Sequence, residues 1–228
     1  MNQSFPLRVR AVTIDLDGTL ADSIPDLAAG TNMMLRELGR PELPLEQITT
    51  FVGKGIPRLV ERALAGTIDG TATEAEMARA LPVFERHYAS VNGRYSVLYP
   101  GVKEGLEAMR AMTLPLACVT NKSGRFTLPL LEQLGIAGFF EQIIGGDALP
   151  QKKPHPAQLL HACKGFGIKP AEMLMIGDSV NDAQAARAAG CPVFCVPYGY
   201  NEGQDVRNLD VDAIVPSLIE AKRLIQKA

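Results

Sequence analysis

VRAVTIDLDGT, residues 9–19, carries the reading that decides the fold. Val9, Ala11, Val12 and Ile14 form a short apolar run rich in β-branched residues, closed by Asp15, Asp17 and Gly18. A run that is apolar without alternation predicts a strand buried on both faces, as in a parallel sheet. Asp15 and Asp17 are two residues apart, so on a continuing strand both carboxylates face one side. Gly18 lets the chain turn sharply away after them. Taken alone, this aspartate pair reads equally as chemistry or as a polar turn that satisfies nearby backbone. A calcium loop fits less well, because it wants an oxygen ligand at its fifth position and glycine at its sixth, where Thr19 and Leu20 stand.

Working outward, the same kind of run recurs at 114–120, 142–146, 173–178, 192–198 and, shorter, 212–215. Amphipathic helical stretches separate these runs at 102–112, 124–134, 156–166, 180–189 and 217–227. Strand–helix alternation of this kind predicts an α/β fold with right-handed crossovers. Residues 22–96 break the pattern with no strand signal and helices at 24–38, 45–51, 57–65 and 73–91. Ser23 is expected to cap the first of these together with Asp26, and Pro82 to kink or divide the last. YPG, residues 99–101, reads as the return hinge. The predicted organisation is therefore a core of 1–21 and 97–228, with a helical insert at 22–96.

Composition sets the limits on function. Hydrophobic residues are 46% and charged residues 21%, a globular balance that excludes a disordered chain. The net charge of −2 provides no basic field for nucleic acid, so an anionic ligand must be held by local groups. Cys118, Cys163, Cys191 and Cys195 make no CxxC pair and stand near no histidine cluster, which points to reduced thiols in a cytoplasmic protein. The opening residues MNQSFPLRVR lack the apolar run of a secretion signal, and no apolar stretch approaches the ~20 residues that cross a bilayer. Monomer and homodimer are both open.

A second acidic motif, GDSVND at 177–182, also follows a buried run and opens a helix. Helix-dipole complementation explains Asp178 or Asp182 singly. It does not explain two strands that both end in aspartates. Strand ends of a parallel sheet meet on one edge, where ligands bind in open α/β folds. Carboxylates gathered there repel one another unless a cation joins them, and oxygen-only ligands suit Mg²⁺. Thr120-Asn121 follows another strand and offers a hydroxyl and backbone N–H groups, or simply caps a turn. Lys153, in QKKPHP, is either a solvated charge or a partner for the edge carboxylates. At ~4 Å such a pairing contributes a few kcal/mol at an effective dielectric of ~20. In FVGKGIPR, residues 51–58, Gly53 and Gly55 flank Lys54 before a helix that carries Arg58 on its first turn. This is a plausible anion site, or a loop with two solvated cations.

The motifs DLDGTL, VTNK, KKPHP and GDSVND resemble, in order and spacing, the four motifs of the haloacid dehalogenase superfamily, over nearly the whole chain. The resemblance implies a Rossmann-like parallel-sheet core with an inserted α-helical cap. It also implies Asp15 as a nucleophile that becomes phosphorylated, and Asp17 as the acid and base for leaving group and water. Thr120 and the Asn121 backbone would bind phosphate, and Lys153 would pair with the nucleophile. Asp15, the Asp17 carbonyl and Asp178 would hold Mg²⁺, supported by Gly18 and Asp182. Dehalogenases of the superfamily keep no aspartate at the position of Asp17, so its presence implies phosphoryl transfer. FVGKGIPRLVERAL, DSIPDLAAG, GGDALPQKKPHP and GYNEG are similar to bacterial phosphoglycolate phosphatases. That similarity implies a small phosphorylated metabolite, 2-phosphoglycolate, as substrate, with Gly53, Lys54 and Arg58 near its carboxylate. Ser123-Gly124 departs from the proline that many relatives carry after VTNK, outside the catalytic positions. A phosphosugar mutase, a pyrophosphatase and a phosphate-binding protein without turnover are the competing expectations.

Overall fold

A computed structural model describes residues 5–228; residues 1–4, assigned to the core above, lie outside the described residues. The central element is β2 (Ala11–Ile14), buried at every position. It pairs in parallel with β5 (Leu116–Val119) on one side and β7 (Met173–Gly177) on the other. β6 (Gln142–Ile144) extends the sheet beyond β5, and β8 (Val193–Cys195) and β9 (Ala213–Ile214) extend it beyond β7. The resulting order β6-β5-β2-β7-β8-β9 is all-parallel. In chain order it runs 3-2-1-4-5-6, so direction reverses between β2 and β7. That reversal leaves a crevice at the carboxyl ends of these two strands, the usual ligand site of doubly wound sheets.

Helices α5 (Val102–Ala111), α6 (Gly124–Gln133), α7 (Ala157–Phe166), α8 (Val180–Ala189) and α9 (Leu218–Arg223) cover the sheet. Two apolar clusters form its two faces. One gathers Val12, Ile14, Leu106, Leu116, Leu174 and Ile176, the other Ala117, Val119, Leu159, Met175 and Val193. Full burial of one such aliphatic side chain contributes ~1.5–3 kcal/mol. All four cysteines are buried and unpaired. No helix among the described residues is long and apolar enough to cross a membrane.

Helices α1 (Ile24–Glu37), α2 (Leu45–Phe51), α3 (Ile56–Ala65) and α4 (Glu74–Val91) occupy the insert and pack around their own cluster, with Leu35, Ile48, Phe51, Val60 and Phe84 at its centre. Phe126 and Tyr200 enter that cluster from the sheet side. A two-stranded antiparallel ribbon, β3 (Ala21–Asp22) with β4 (Val97–Leu98), carries the chain out and back. Each strand is only two residues long, which is why neither gives a periodic sequence signal.

Four expectations are corrected. The capping box at Ser23 does not form, because both its members are used elsewhere. Ser23 Oγ donates to Asp17 Oδ1 at 2.6 Å, and Asp26 is fully buried. The Asp26 carboxylate accepts the backbone N–H groups of Gly93, Tyr95 and Ser96 and the Ser96 hydroxyl. α4 is not divided at Pro82 but runs through it as one helix, anchored at its start by a Thr73–Glu76 capping box. The C-terminal helix ends at Arg223, and Ile225–Lys227 forms β10, paired in parallel with β1 (Leu7–Val9). The return from the insert is the β3–β4 ribbon, with Tyr99–Gly101 as its continuation.

Asp26 thus fastens the start of the insert to its end. Asp26→Ala should lower stability by roughly 2–4 kcal/mol in urea unfolding, since several buried donors lose their acceptor together. A loss below ~1 kcal/mol would mean that these donors find water instead.

Candidate active site

The ladder of β2 continues one step past Ile14, where the Asp15 N–H donates to the Ile176 carbonyl at 2.9 Å. This delivers the Asp15 carboxylate to the sheet edge, 12% exposed. Gly18 has φ +85° and makes the turn that follows. A Cβ on it would lie 2.3 Å from Asp178 Oδ2, so glycine is required here both for conformation and for space. The two acidic motifs are therefore in contact through that turn.

Lys153 organises the carboxylates. Its ammonium is 1% exposed and lies 2.9 Å from Asp15 Oδ1, 2.6 Å from Asp182 Oδ1 and 2.8 Å from the Val119 carbonyl oxygen. Three acceptors match the three N–H groups of an ammonium. Burial works against its charge, but Asp15 and Asp182 outweigh burial and hold Lys153 protonated well above the ordinary lysine range. The loop is fixed by Gln158, which accepts from the Lys153 N–H and donates to the Thr120 and Gly145 carbonyls.

Asp182 has its second oxygen occupied as well. Asp182 Oδ2 accepts from the N–H groups of Asp178 and Ser179 and from Ser179 Oγ, closing the first turn of α8. Asp178 accepts from Thr19 Oγ1 at 3.0 Å and from the Tyr200 N–H at 2.5 Å. One oxygen each of Asp15, Asp178 and Asp182 lies within 4.8 Å of the others. Burial pushes the Asp15 carboxyl up to about 7 against the opposing effect of Lys153. Burial, then Asp182 and Asp15, push Asp178 well above the carboxylate range. The cluster is short of positive charge, and its donors are oxygens only, a set that fits a hard divalent cation. Asp15 and Asp178 keep open lone pairs for such an ion, whereas Asp182 is fully engaged by protein donors.

The Asp17 side chain turns to a separate set of partners. It accepts from Ser23 Oγ and from Lys122 Nζ, at 2.9 and 3.1 Å to its two oxygens. Lys122 is 2% exposed and stands 5.1 Å from the ring centroid of Tyr88 on α4. Burial opposes its charge, but Asp17 and Tyr88 outweigh burial and keep it protonated. Sequence reading missed Lys122. Its only local signal is its place directly after Thr120-Asn121, and its partner lies 105 residues away.

Asp15, Asp17, Thr120, Asn121, Lys122 and Asp178 line one cavity of about 40 Å³, together with Gly53, Gly55 and apolar residues of α1 and α3. A single water needs ~10–15 Å³, so the space suits a small ligand. Thr120 Oγ1 accepts from the Lys122 N–H, which leaves its own proton free to donate. The Asn121 amide is spent on the Gly53 and Lys153 carbonyls, so this residue can offer its backbone, not its side-chain donor, to a ligand.

Two expected ligand contacts are not brought to the cavity. Arg58 turns to Glu61 and to the carbonyls of Gly70 and Ile68, because the 66–70 loop leaves those acceptors facing it. Lys54 pairs with Glu202 at 3.3 Å, across from the sheet side. Glu202 also meets Arg62 at 2.8 Å, so the two cations share one carboxylate. Gly53 does line the cavity, and its carbonyl accepts from Asn121 at 3.0 Å.

The family sequence model for haloacid dehalogenase-like hydrolases matches residues 9–190. The chain belongs to that family, and it is an enzyme of its phosphatase class, a phosphoric monoester hydrolase. It is 58% identical over 224 residues to a Nitrosospira multiformis protein named phosphoglycolate phosphatase, covering 98% of this chain and 99% of that one. A Thiobacillus denitrificans protein of the same name is 54% identical over 226 residues, covering 99% and 100%. A predicted phosphoglycolate phosphatase from Haemophilus somnus, solved by crystallography, superposes with a TM-score of 0.87 at 36% identity, covering 92% of this chain and 95% of that one.

The charge shortage gives a test independent of turnover. Asp178→Asn should raise the metal-free melting temperature by ~2–4 °C, the equivalent of ~1 kcal/mol at this size. An asparagine fits, because its oxygen can take the Tyr200 N–H while the Thr19 hydroxyl reverses to accept. The parent is expected to gain melting temperature on addition of Mg²⁺, and the same variant to lose most of that gain. A Mg²⁺-induced rise that survives the substitution would remove Asp178 from the ion site.

Proposed function

We propose that the enzyme hydrolyses 2-phosphoglycolate to glycolate and phosphate, in a Mg²⁺-dependent reaction through a phosphorylated Asp15. The observation that carries this reading is the separation of the two motif aspartates. Asp15 is held by Lys153, while Asp17 is held by Lys122 and Ser23 at the same cavity. Two carboxylates with different partners can take different roles, one nucleophile and one acid–base. The Asp15 oxygen that does not face Lys153 attacks phosphorus, and the bond to the substrate alkoxide breaks. Protonated Asp17 delivers its proton to that alkoxide, releasing glycolate. The Asp17 carboxylate then takes a proton from water, whose oxygen attacks phosphorus and frees Asp15 and phosphate.

Thr120 Oγ1 and the Asn121 N–H would donate to the phosphoryl oxygens, and Lys153 would keep Asp15 oriented. Asp15, the Asp17 carbonyl and Asp178 would hold Mg²⁺, which supplies positive charge opposite the developing phosphoryl charge. Asp182 serves by fixing Lys153 and the start of α8. In this reading residues 22–96 act as a cap over a catalytic core of 1–21 and 97–228, supported by the separate apolar cluster of α1–α4. The substrate choice is supported by the names of the two relatives described above and by the small cavity, whose apolar wall leaves little room for a sugar ring.

Four measurements test the reading. Rates of phosphate release should be highest for 2-phosphoglycolate in a panel containing pyrophosphate, sugar phosphates and aryl phosphates, with no sugar bisphosphate primer required. A primer requirement would make the enzyme a mutase. Borohydride reduction of acid-quenched enzyme should convert Asp15 to homoserine, and Asp15→Asn should keep less than about 1% of activity, given the size of the acceleration at stake. Homoserine at another aspartate position would displace Asp15 as nucleophile. Lys122→Met should lower kcat by ~10²-fold or more through misplacement of Asp17, and Lys122→Arg, which keeps the charge, should recover part of that loss, with thermal unfolding followed in both. A kcat within twofold of wild type would make Lys122 structural only.

A further inference from the structure

The cations around the cavity are nearly all neutralised by the protein itself. Lys153 is held by Asp15 and Asp182, and Lys122 by Asp17. Lys54 and Arg62 share Glu202, and Arg58 is held by Glu61. The two cations expected from sequence to meet a substrate carboxylate, Lys54 and Arg58, are therefore not free to do so.

Lys152 differs from all of these. Among the described residues its ammonium has no ion pair and no hydrogen-bond partner, and half-burial lowers its pKa. A partly desolvated ammonium with no counter-anion is unfavourable, and a bound anion would relieve it. Its place in the fold says which anion. The Lys152 carbonyl accepts from the His155 N–H at 3.0 Å, and the next residue is pinned through Gln158, so the backbone here is fixed. Consecutive side chains diverge from it. Lys153 Nζ goes to Asp15, while Lys152 Nζ goes to the loop before α3.

That loop leaves room for it at Gly55. A Cβ on Gly55 would lie 2.8 Å from Lys152 Nζ and 3.1 Å from the Asn121 carbonyl oxygen. The residue also has φ +83°, a conformation that side chains rarely adopt. Gly55, Asn121 and Ile56 all belong to the cavity wall. The ammonium thus lies against Gly55 of the cavity wall, on the side of the helical insert, one step behind the residues that line the cavity itself. No side chain caps the start of α3, whose first N–H groups adjoin the same wall.

We propose that Lys152 is the specificity-determining cation of this enzyme, taking the carboxylate of a carboxylate-bearing phosphoester at the Gly55 wall while its phosphate sits at Asp15 and Thr120. This rests on the reading of the enzyme as a phosphatase of 2-phosphoglycolate and names the residue that selects it. Two adjacent lysines then divide one substrate. Lys153 serves the phosphate end through the nucleophile, and Lys152 serves the carboxylate end.

The test compares 2-phosphoglycolate with 2-hydroxyethyl phosphate, in which a hydroxymethyl group replaces the carboxylate. Wild type, Lys152→Met and Lys152→Arg are assayed on both, with thermal unfolding as a check of fold. Wild type should prefer the carboxylate-bearing ester. Lys152→Met should raise the ratio of the two KM values by about tenfold or more, the scale of one charge-assisted hydrogen bond, with the change in KM and not in kcat. Lys152→Arg should recover part of that ratio. A wild-type preference that survives Lys152→Met overturns the role of Lys152 alone. A wild-type enzyme without the preference overturns the phosphoglycolate reading and this inference together.

Discussion

Lys153 sits where β2, β5 and α8 converge, and its three N–H groups reach one acceptor from each: Asp15, the Val119 carbonyl and Asp182. At separations near 3 Å the Coulomb attraction in each carboxylate contact is on the order of 5 kcal/mol at an effective dielectric of ~20, set against the cost of burying the charges. Without that charge, two buried carboxylates would face each other with nothing between them. The consequences spread through the site. Because Asp182 is held, its other oxygen can fix the N–H groups of Asp178 and Ser179. Because those are fixed, Asp178 meets the turn at Gly18, where a single added carbon would collide with it. One ammonium thereby sets the relative position of both acidic motifs.

A second buried lysine does for the insert what Lys153 does for the sheet. Lys122 joins Asp17 to Tyr88 of α4, so a core carboxylate and a helix of the insert share one cation. Two further contacts tie the insert to the core. Asn121 donates to the Gly53 carbonyl, and Glu202 meets both Lys54 and Arg62. The covalent link is only the short β3–β4 ribbon, stiffened by Asp26. The placement of the insert over the cavity therefore depends on the apolar contacts of Phe126 and Tyr200 and on polar contacts made at the cavity itself, the latter being the kind that a ligand can strengthen or replace.

The elements that were legible in the sequence are those whose signal is local. β2, β5 and β7 are apolar throughout because a parallel sheet buries both their faces, and α8 begins at residue 180 as its capping residues indicate. Asp15, Thr120, Lys153 and Asp178 each follow a strand, and a parallel sheet necessarily gathers strand ends. What stayed hidden is what depends on partners far along the chain. Asp26 looks like a capping residue, but its donors lie 67–70 residues away. Arg58 looks like an anion ligand, but carbonyls of the following loop claim it. Both β3–β4 and β1–β10 are too short to show a period and form only because the fold brings their ends together.

The disposition of charge also bears on how a phosphate ester would be held. Lys122 and Lys153 are saturated by Asp17, Asp15 and Asp182, so neither brings a free charge to an incoming dianion. The phosphoryl group must then rely on dipoles with open valence, the Thr120 hydroxyl and backbone N–H groups, and on a cation held by Asp15 and Asp178. Such a cradle recognises a phosphoryl group and nothing beyond it, which leaves discrimination among esters to the opposite wall. That wall is mainly glycine and aliphatic side chains, with Lys152 behind Gly55. An apolar wall alone separates ligands by size, at ~1–3 kcal/mol per methylene. A charge without a partner separates them by whether they carry an opposite charge, and a two-carbon ester has little else to be recognised by.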